Sequence, residues 1–132
     1  MSQPRFLTLE DVLRLHRDQI DRYGGSHGVR DHGLLDSALA QPQAGVGEEY
    51  VHRDLFEMAA AYLFHLVQNH PFNDGNKRIG AYAAFVFLFM NGFKVGDVEP
   101  EFEALVLGTA RGEKKKPEIA EFLRKNCIAF RD

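Results

Sequence analysis

The stretch His70-Pro71-Phe72-Asn73-Asp74-Gly75-Asn76-Lys77-Arg78 gathers an imidazole, a carboxylate, an amide, two cations and a glycine into one short run. Together these groups could move a phosphorus-centred group. An imidazole, with an ordinary pKa of about 6.5, suits a general base that takes a proton from a hydroxyl, and His70 offers one. Asp74 supplies hard oxygen donors of the kind Mg²⁺ uses beside substrate phosphates. Lys77 adds a point charge and Arg78 a planar fork for phosphate oxygens. Asn76 can bond a phosphate or the loop itself, and Gly75 permits backbone approaches that a side chain would block. Phe72 is expected to point into the core and anchor the loop, with Pro71 stiffening its start. His-Pro and Asp-Gly-Asn are also ordinary turn chemistry, so each residue alone is more often structural. The full set describes base, metal ligand and phosphate cradle for transfer of part of a nucleotide to a hydroxyl.

Two of the most apolar segments of the chain, Leu55–Val67 and Ile79–Met90, flank this polar run. Leu55–Val67 is apolar on almost every face, which predicts a buried central helix, and Asp54 with Glu57 forms a capping-box pattern before it. Ile79–Met90 predicts a second central helix, small on one side (Gly80, Ala81, Ala83, Ala84) and phenyl-rich on the other, so that it can approach its partner closely. The motif is then a loop that ends at a helix N-terminus, where unpaired N–H groups and the positive dipole end favour anions.

Ahead of this pair, Thr8 caps a helix running to about Tyr23, and Gly24-Gly25 stops it. His16 lies on that helix's apolar stripe and is expected to be packed and hydrogen-bonded. Asp31 caps a short helix through Leu39 that Pro42 closes. His27, His32, Asp31 and Asp36 match no dependable metal-ligand spacing, and a cap with exposed histidines is the better reading. Gln43–Arg53 reads as a loop or short extended hairpin. After Asn91-Gly92, Phe93-Lys94-Val95 suggests a short extended piece, and Glu101–Ala110 and Pro117–Phe130 predict two amphipathic helices, the second with Cys127 facing inward. The fold class expected is all-α, one compact domain over residues 1–132.

Composition narrows the function classes. The chain has 132 residues, 45% of them apolar, with 11 Phe, no Trp and a net charge of −3, which argues against a broad nucleic-acid footprint. Lys114-Lys115-Lys116 is expected to be a solvated turn. Lone Cys127 allows no intrachain disulfide and fits a reducing compartment. No signal-peptide pattern opens the chain, and Ile79–Met90 is short of the ~20 apolar residues a bilayer requires. The expectation is a soluble cytoplasmic domain with no membrane and no direct nucleic-acid partner.

His70 to Arg78 resembles the signature loop of the Fic/Doc superfamily, His-Pro-Phe-x-(Asp/Glu)-Gly-Asn-x-Arg. Lys77, where most Fic proteins have glycine, is the mark of the death-on-curing (Doc) branch. The resemblance runs along the chain: Ser2–Gly25 is similar to the Doc first helix ending in Arg-Tyr-Gly-Gly, Gly28–Leu39 to its Gly-x-x-Asp-x-Gly segment, and Asp54-Leu55-Phe56-Glu57 and Gly108–Gly112 to further Doc segments.

The resemblance implies a compact Fic fold and the toxin of a type II toxin–antitoxin pair, a protein kinase that phosphorylates a threonine of elongation factor Tu and arrests translation. It implies ATP and Mg²⁺ as cofactors, His70 as general base, Asp74 as Mg²⁺ ligand, and Gly75, Asn76, Lys77 and Arg78 as phosphate contacts. Lysine at position 77 goes with a reversed nucleotide that presents its γ-phosphate. Gln43–Arg53 stands in the place of the family's flap, which aligns a target segment. Pro71 and Gly75, by contrast, follow the AMP-transferring pattern, so AMP transfer to a protein hydroxyl is the second expectation and a catalytically silent binding protein the third. Thr109–Lys114 comes nearest to the family's self-inhibiting helix but lacks its last residue. Restraint is therefore expected from a separate Phd-like antitoxin whose disordered tail folds on binding.

Overall fold

In a computed structural model, which describes residues 3–47 and 49–130, the chain is an all-α domain with two small antiparallel two-stranded sheets. Helix α1 (Leu9–Tyr23) starts at the expected cap: the Thr8 hydroxyl accepts from the Asp11 N–H at 3.0 Å, and the Asp11 carboxylate accepts from the Thr8 N–H at 2.9 Å. Helix α2 (His32–Ala40) is capped by Asp31 and runs into a 3-10 turn, Gln41–Gln43, that takes up Pro42. Strands β1 (Gly45–Val46) and β2 (Glu49–Tyr50) form a hairpin in the segment read as loop or hairpin.

Helix α3 (Leu55–Asn69) is the centre of the molecule, with α2, α4 (Asn76–Met90), α5 (Glu99–Ala110) and α6 (Lys116–Asn126) packed around it. Ala59, Ala60, Ala61, Tyr62, Leu63 and Leu66 are all fully buried, as a helix apolar on every side requires. Tyr62 keeps its one polar atom satisfied by accepting from the Leu7 N–H at 2.9 Å. Glu57 at the start of α3 reaches back to the Arg53 N–H at 2.8 Å, so it caps one residue earlier than the capping-box pattern predicts.

Helices α3 and α4 cross where α4 has no side chain. A Cβ on Gly80 would stand 2.8 Å from the Val67 Cγ2 and 3.2 Å from the Leu63 carbonyl oxygen. Val67 lies just before His70, and Gly80 lies about one turn after Asn76, so this contact sets the spacing between the two ends of the motif loop.

The last helix is shorter than its periodicity predicts. Instead of continuing to Phe130, α6 ends at Asn126, and β4 (Cys127–Ala129) pairs with β3 (Phe93–Val95) in the register Phe93↔Ala129, Lys94↔Ile128, Val95↔Cys127. The apolar Cys-Ile-Ala-Phe run fits a strand as well as a helix, and the open edge at Phe93–Val95 decides between them. Cys127 is half-buried there, and burial pushes its thiol pKa up to about 11. Among the described residues, no helix is long and apolar enough to cross a membrane.

Candidate active site

The motif loop joins the C-terminus of α3 to the N-terminus of α4. His70 sits in the left-handed region (φ 52°, ψ 52°) and is the one non-glycine residue with positive φ among those described. Glycine or asparagine normally takes this place after a helix, and another L-residue gives up ~1 kcal/mol or more. The chain keeps an imidazole where glycine would be easier.

A strap running from the end of α1 to the cap of α2 offsets that cost. The N–H groups of Arg30 (2.7 Å) and Asp31 (3.0 Å) both donate to the Pro71 carbonyl, the Asn73 N–H donates to the Gly28 carbonyl at 3.0 Å, and Val29 and Phe72 form an antiparallel bridge. The Asn73 side-chain amide donates to the His27 carbonyl at 3.1 Å. A Cβ on Gly25 would lie 2.7 Å from the Asp74 Oδ2, and one on Gly28 would lie 2.8 Å from the Asn73 Nδ2. The two glycines therefore do more than stop α1: they let the strap close over the loop.

Three side chains hold the loop from inside. Phe72 is fully buried and stacks on His16 with ring centres 3.8 Å apart. His16, packed and hydrogen-bonded as its place on the stripe predicts, donates from Nε2 to the Asp74 carbonyl at 2.8 Å; burial lowers its pKa. Asn76 is buried, and its amide makes a closed pair of bonds with one residue, accepting from the Phe72 N–H at 2.9 Å and donating to the Phe72 carbonyl at 3.0 Å. Of the two uses open to Asn76, its side chain serves the loop, and its backbone N–H is what it can still offer a ligand.

The candidate groups of the motif meet at one cavity of about 250 Å³, lined by His70, Asp74, Gly75, Lys77 and Arg78 among others. His70 is exposed. The Asp74 carboxylate accepts from the Ser26 N–H at 3.2 Å and the Gly75 N–H at 2.9 Å, and these bonds, with Arg78 and His16 nearby, hold its pKa below the usual carboxylate value. Ionised, with each oxygen keeping free lone pairs, it fits Mg²⁺, which binds through one carboxylate, water and substrate phosphates. No cluster of three acidic, histidine or cysteine ligands exists among the described residues, so an ion here would depend on the substrate for its other ligands.

Gly75 starts α4 at φ 75° without a side chain to cap it, which leaves the first-turn N–H groups open. Arg78 is only partly available: its Nη2 donates to the Gly24 carbonyl at 3.0 Å and its Nη1 to the Gln19 carbonyl at 3.4 Å, tying α4 to the end of α1. Lys77 is exposed and makes no hydrogen bond or ion pair among the described residues. Lys77 and Arg78 also line an adjoining groove of about 700 Å³, walled by Tyr23, Tyr82 and Phe85, with Glu99 and Glu103 at its margin.

The Fic/DOC family model matches residues 6–88, which contain α1 to α3, the loop and most of α4. The chain belongs to the Fic/DOC family. Within it, the relatives are of the Doc branch. The chain is 39% identical over 121 residues to "Protein kinase doc" of Escherichia phage P1, covering 92% of this chain and 94% of that one. It is 47% identical over 90 residues to "Toxin Doc" of Mycolicibacterium smegmatis, covering 68% of this chain and 67% of that one.

Several contributors to this Fic/Doc site escaped the sequence reading. Arg30, Ser26, Gly25 and Gly28 act through long-range backbone contacts, and the only local sign of them was the density of glycine between α1 and α2. His27 pairs with Asp21 at 3.0 Å and Asp31 caps α2, so neither belongs to the cavity. Lys116 departs from the solvated turn expected of the lysine run. Its ammonium donates to the His65 Nε2 at 3.0 Å, and burial together with that charge pushes the His65 pKa down to about 4.

Proposed function

We propose that the protein is a Doc-type toxin that transfers the γ-phosphoryl group of ATP to a hydroxyl of a target protein, with a threonine of elongation factor Tu as the expected acceptor. One observation carries the reading: a single cavity brings the His70 imidazole, the ionised Asp74, the uncapped first turn of α4 and the unengaged Lys77 together. The names of the two relatives, a protein kinase and a toxin, support it.

In this reading the N–H groups of the first turn of α4 and the Lys77 ammonium bind the phosphate chain of ATP. His70 takes the proton of the acceptor hydroxyl as its oxygen bonds to the γ-phosphorus, and the bond from that phosphorus to the β,γ-bridging oxygen breaks, releasing ADP. Asp74 would hold Mg²⁺, which would supply neutralising charge to the phosphates. The β1–β2 hairpin is the candidate surface for aligning the target segment. Restraint would come from a cognate antitoxin of the Phd kind. The apolar groove beside Lys77 and Arg78, with its two glutamates, suits an amphipathic segment that would cover both cations. A cytoplasmic setting follows from the proposed target.

Transfer of AMP is the second reading, and Pro71 and Gly75 favour it. Intact-mass analysis of elongation factor Tu incubated with the protein, ATP and Mg²⁺ separates the two, because phosphate adds about 80 Da and AMP about 329 Da. A phosphate-sized gain that His70→Ala abolishes is the expected result. An AMP-sized gain would replace this reading with the second, and no gain would remove this target.

A further inference from the structure

Arg30 reaches the catalytic turn from a segment far away in sequence. Its Nε donates to the His70 carbonyl at 2.8 Å and its Nη2 to the Asn69 carbonyl at 3.2 Å. These are two successive carbonyls at the end of α3, where no following helical N–H is available to them and where the helix dipole favours a cation. They also bracket the one residue, among those described, held at a positive φ without being glycine.

We propose that Arg30 is a positioning residue for His70, fixing the left-handed turn that aims the imidazole at the cavity. The backbone does not explain why an arginine stands at this position. The Arg30 N–H donates to the Pro71 carbonyl, but any residue other than proline could make that bond. Asp31 caps α2 with its own carboxylate, through the Leu34 N–H. What is specific to arginine is a planar edge with two donors, read by two adjacent carbonyls; lysine could serve one of them at a time. Arg30 is exposed and forms no ion pair among the described residues, so its guanidinium adds little to global stability. Its position points to local geometry. If the turn relaxes toward an ordinary backbone angle, the His70 Cα–Cβ bond swings away from the position it needs for proton abstraction. The link therefore acts on the chemical step and leaves the phosphate cradle of α4 untouched.

The kinetic half of this inference rests on the proposed group transfer; the conformational half does not. The test compares the full-length wild type with Arg30→Met, which keeps much of the stem and removes the donors, and with Arg30→Lys. In isotope-labelled protein, the His70 backbone shifts and the HN–Hα coupling report φ directly. Arg30→Met is expected to move them away from left-handed values while melting stays close to wild type. Turnover, measured as label transferred from ATP, is expected to fall ~10–100-fold with the ATP KM changed less than ~3-fold, and Arg30→Lys to recover part of the loss. Unchanged His70 signals in Arg30→Met would overturn the proposal whether or not the protein transfers anything. Shifted signals with unchanged turnover would overturn it as well. If Arg30→Met fails to fold, the same two readouts on Arg30→Lys decide, with intermediate shifts and turnover expected and wild-type values refuting the idea. Wild-type protein without transfer would count against the proposed function, while the backbone signals would still judge the turn.

Discussion

Replacing Asn76 by alanine should unfold the molecule more than it weakens nucleotide binding. The amide is buried, and both its bonds go to the backbone of Phe72, itself fully buried. Alanine leaves the Phe72 N–H and carbonyl without partners inside the protein. Stranding a buried polar group costs ~1–3 kcal/mol, and partial relaxation of an otherwise solvent-facing loop should hold the total to ~2–4 kcal/mol. For a domain of this size, that lowers the melting temperature by roughly 10 °C. Asn76→Asp sharpens the test. An ionised aspartate can accept from the Phe72 N–H but opposes the Phe72 carbonyl, so it should be at least as damaging at pH 7. It should improve in mild acid, where a protonated carboxyl can donate. Urea unfolding at pH 7 and pH 5, with the circular-dichroism midpoint as readout, gives both numbers. Asn76→Ala unfolding within ~0.5 kcal/mol of wild type, with ATP binding lost, would refute this account and make the side chain a ligand contact.

Other expectations concern the frame around the loop. The His65 pKa falls from 6.5 in the unfolded chain to about 4 in the fold, chiefly through burial and then through Lys116 and His52. The folded state disfavours its protonation, so this contribution to stability is complete above pH 6.5 and is lost as pH falls toward 4. The full shift corresponds to about 3 kcal/mol, and screening at a half-buried ring should leave ~1–2 kcal/mol; His65→Asn should flatten the urea midpoint between pH 7 and 4.5, and an equally steep slope in the variant would exclude this cause. Gly80→Val should destabilise by ~2–3 kcal/mol in thermal unfolding, since even a Cβ meets the Val67 methyl at 2.8 Å; a neutral effect would show that α3 and α4 can separate freely. Burial takes the Cys127 thiol from 9.0 to about 11, which cuts thiolate near neutral pH roughly 100-fold. Iodoacetamide should therefore label native protein far more slowly than unfolded protein, and equal rates would contradict the packing of β4.

Local signals carried much of the fold. Thr8, Asp31 and Asp54 cap helices where capping chemistry puts them, and the almost wholly apolar run of α3 marked it as the central helix. Phe72 and His16 were legible as core residues because each stands at an apolar position of its segment. Periodicity failed at Cys127–Ala129, where pairing with a distant strand decides between two conformations that the residues allow equally. Charge patterning misled at Lys116, which a run of three lysines disguised as a solvated turn. In the site, the types of the reactive residues were visible, but their division of labour was not. Asn76 and Arg78 both suit a phosphate, and only the bonds to Phe72, Gly24 and Gln19 reveal that the Asn76 side chain braces the loop and that the Arg78 side chain ties α4 to the end of α1. Arg30 gave no local sign, because its acceptors lie at the far end of α3.

The cavity between α3 and α4 is proposed to transfer the terminal phosphoryl group of ATP, with His70 as base. The most direct test incubates the protein with a cell lysate and Mg²⁺, using ATP labelled in parallel at the γ- and the α-phosphorus, with His70→Ala as control. Above the background of the lysate's own enzymes, a protein band labelled from γ-labelled ATP alone is expected, lost with His70→Ala and lost when Mg²⁺ is chelated. A band above that background from α-labelled ATP, or a γ-labelled one that survives in His70→Ala, would contradict the proposed transfer.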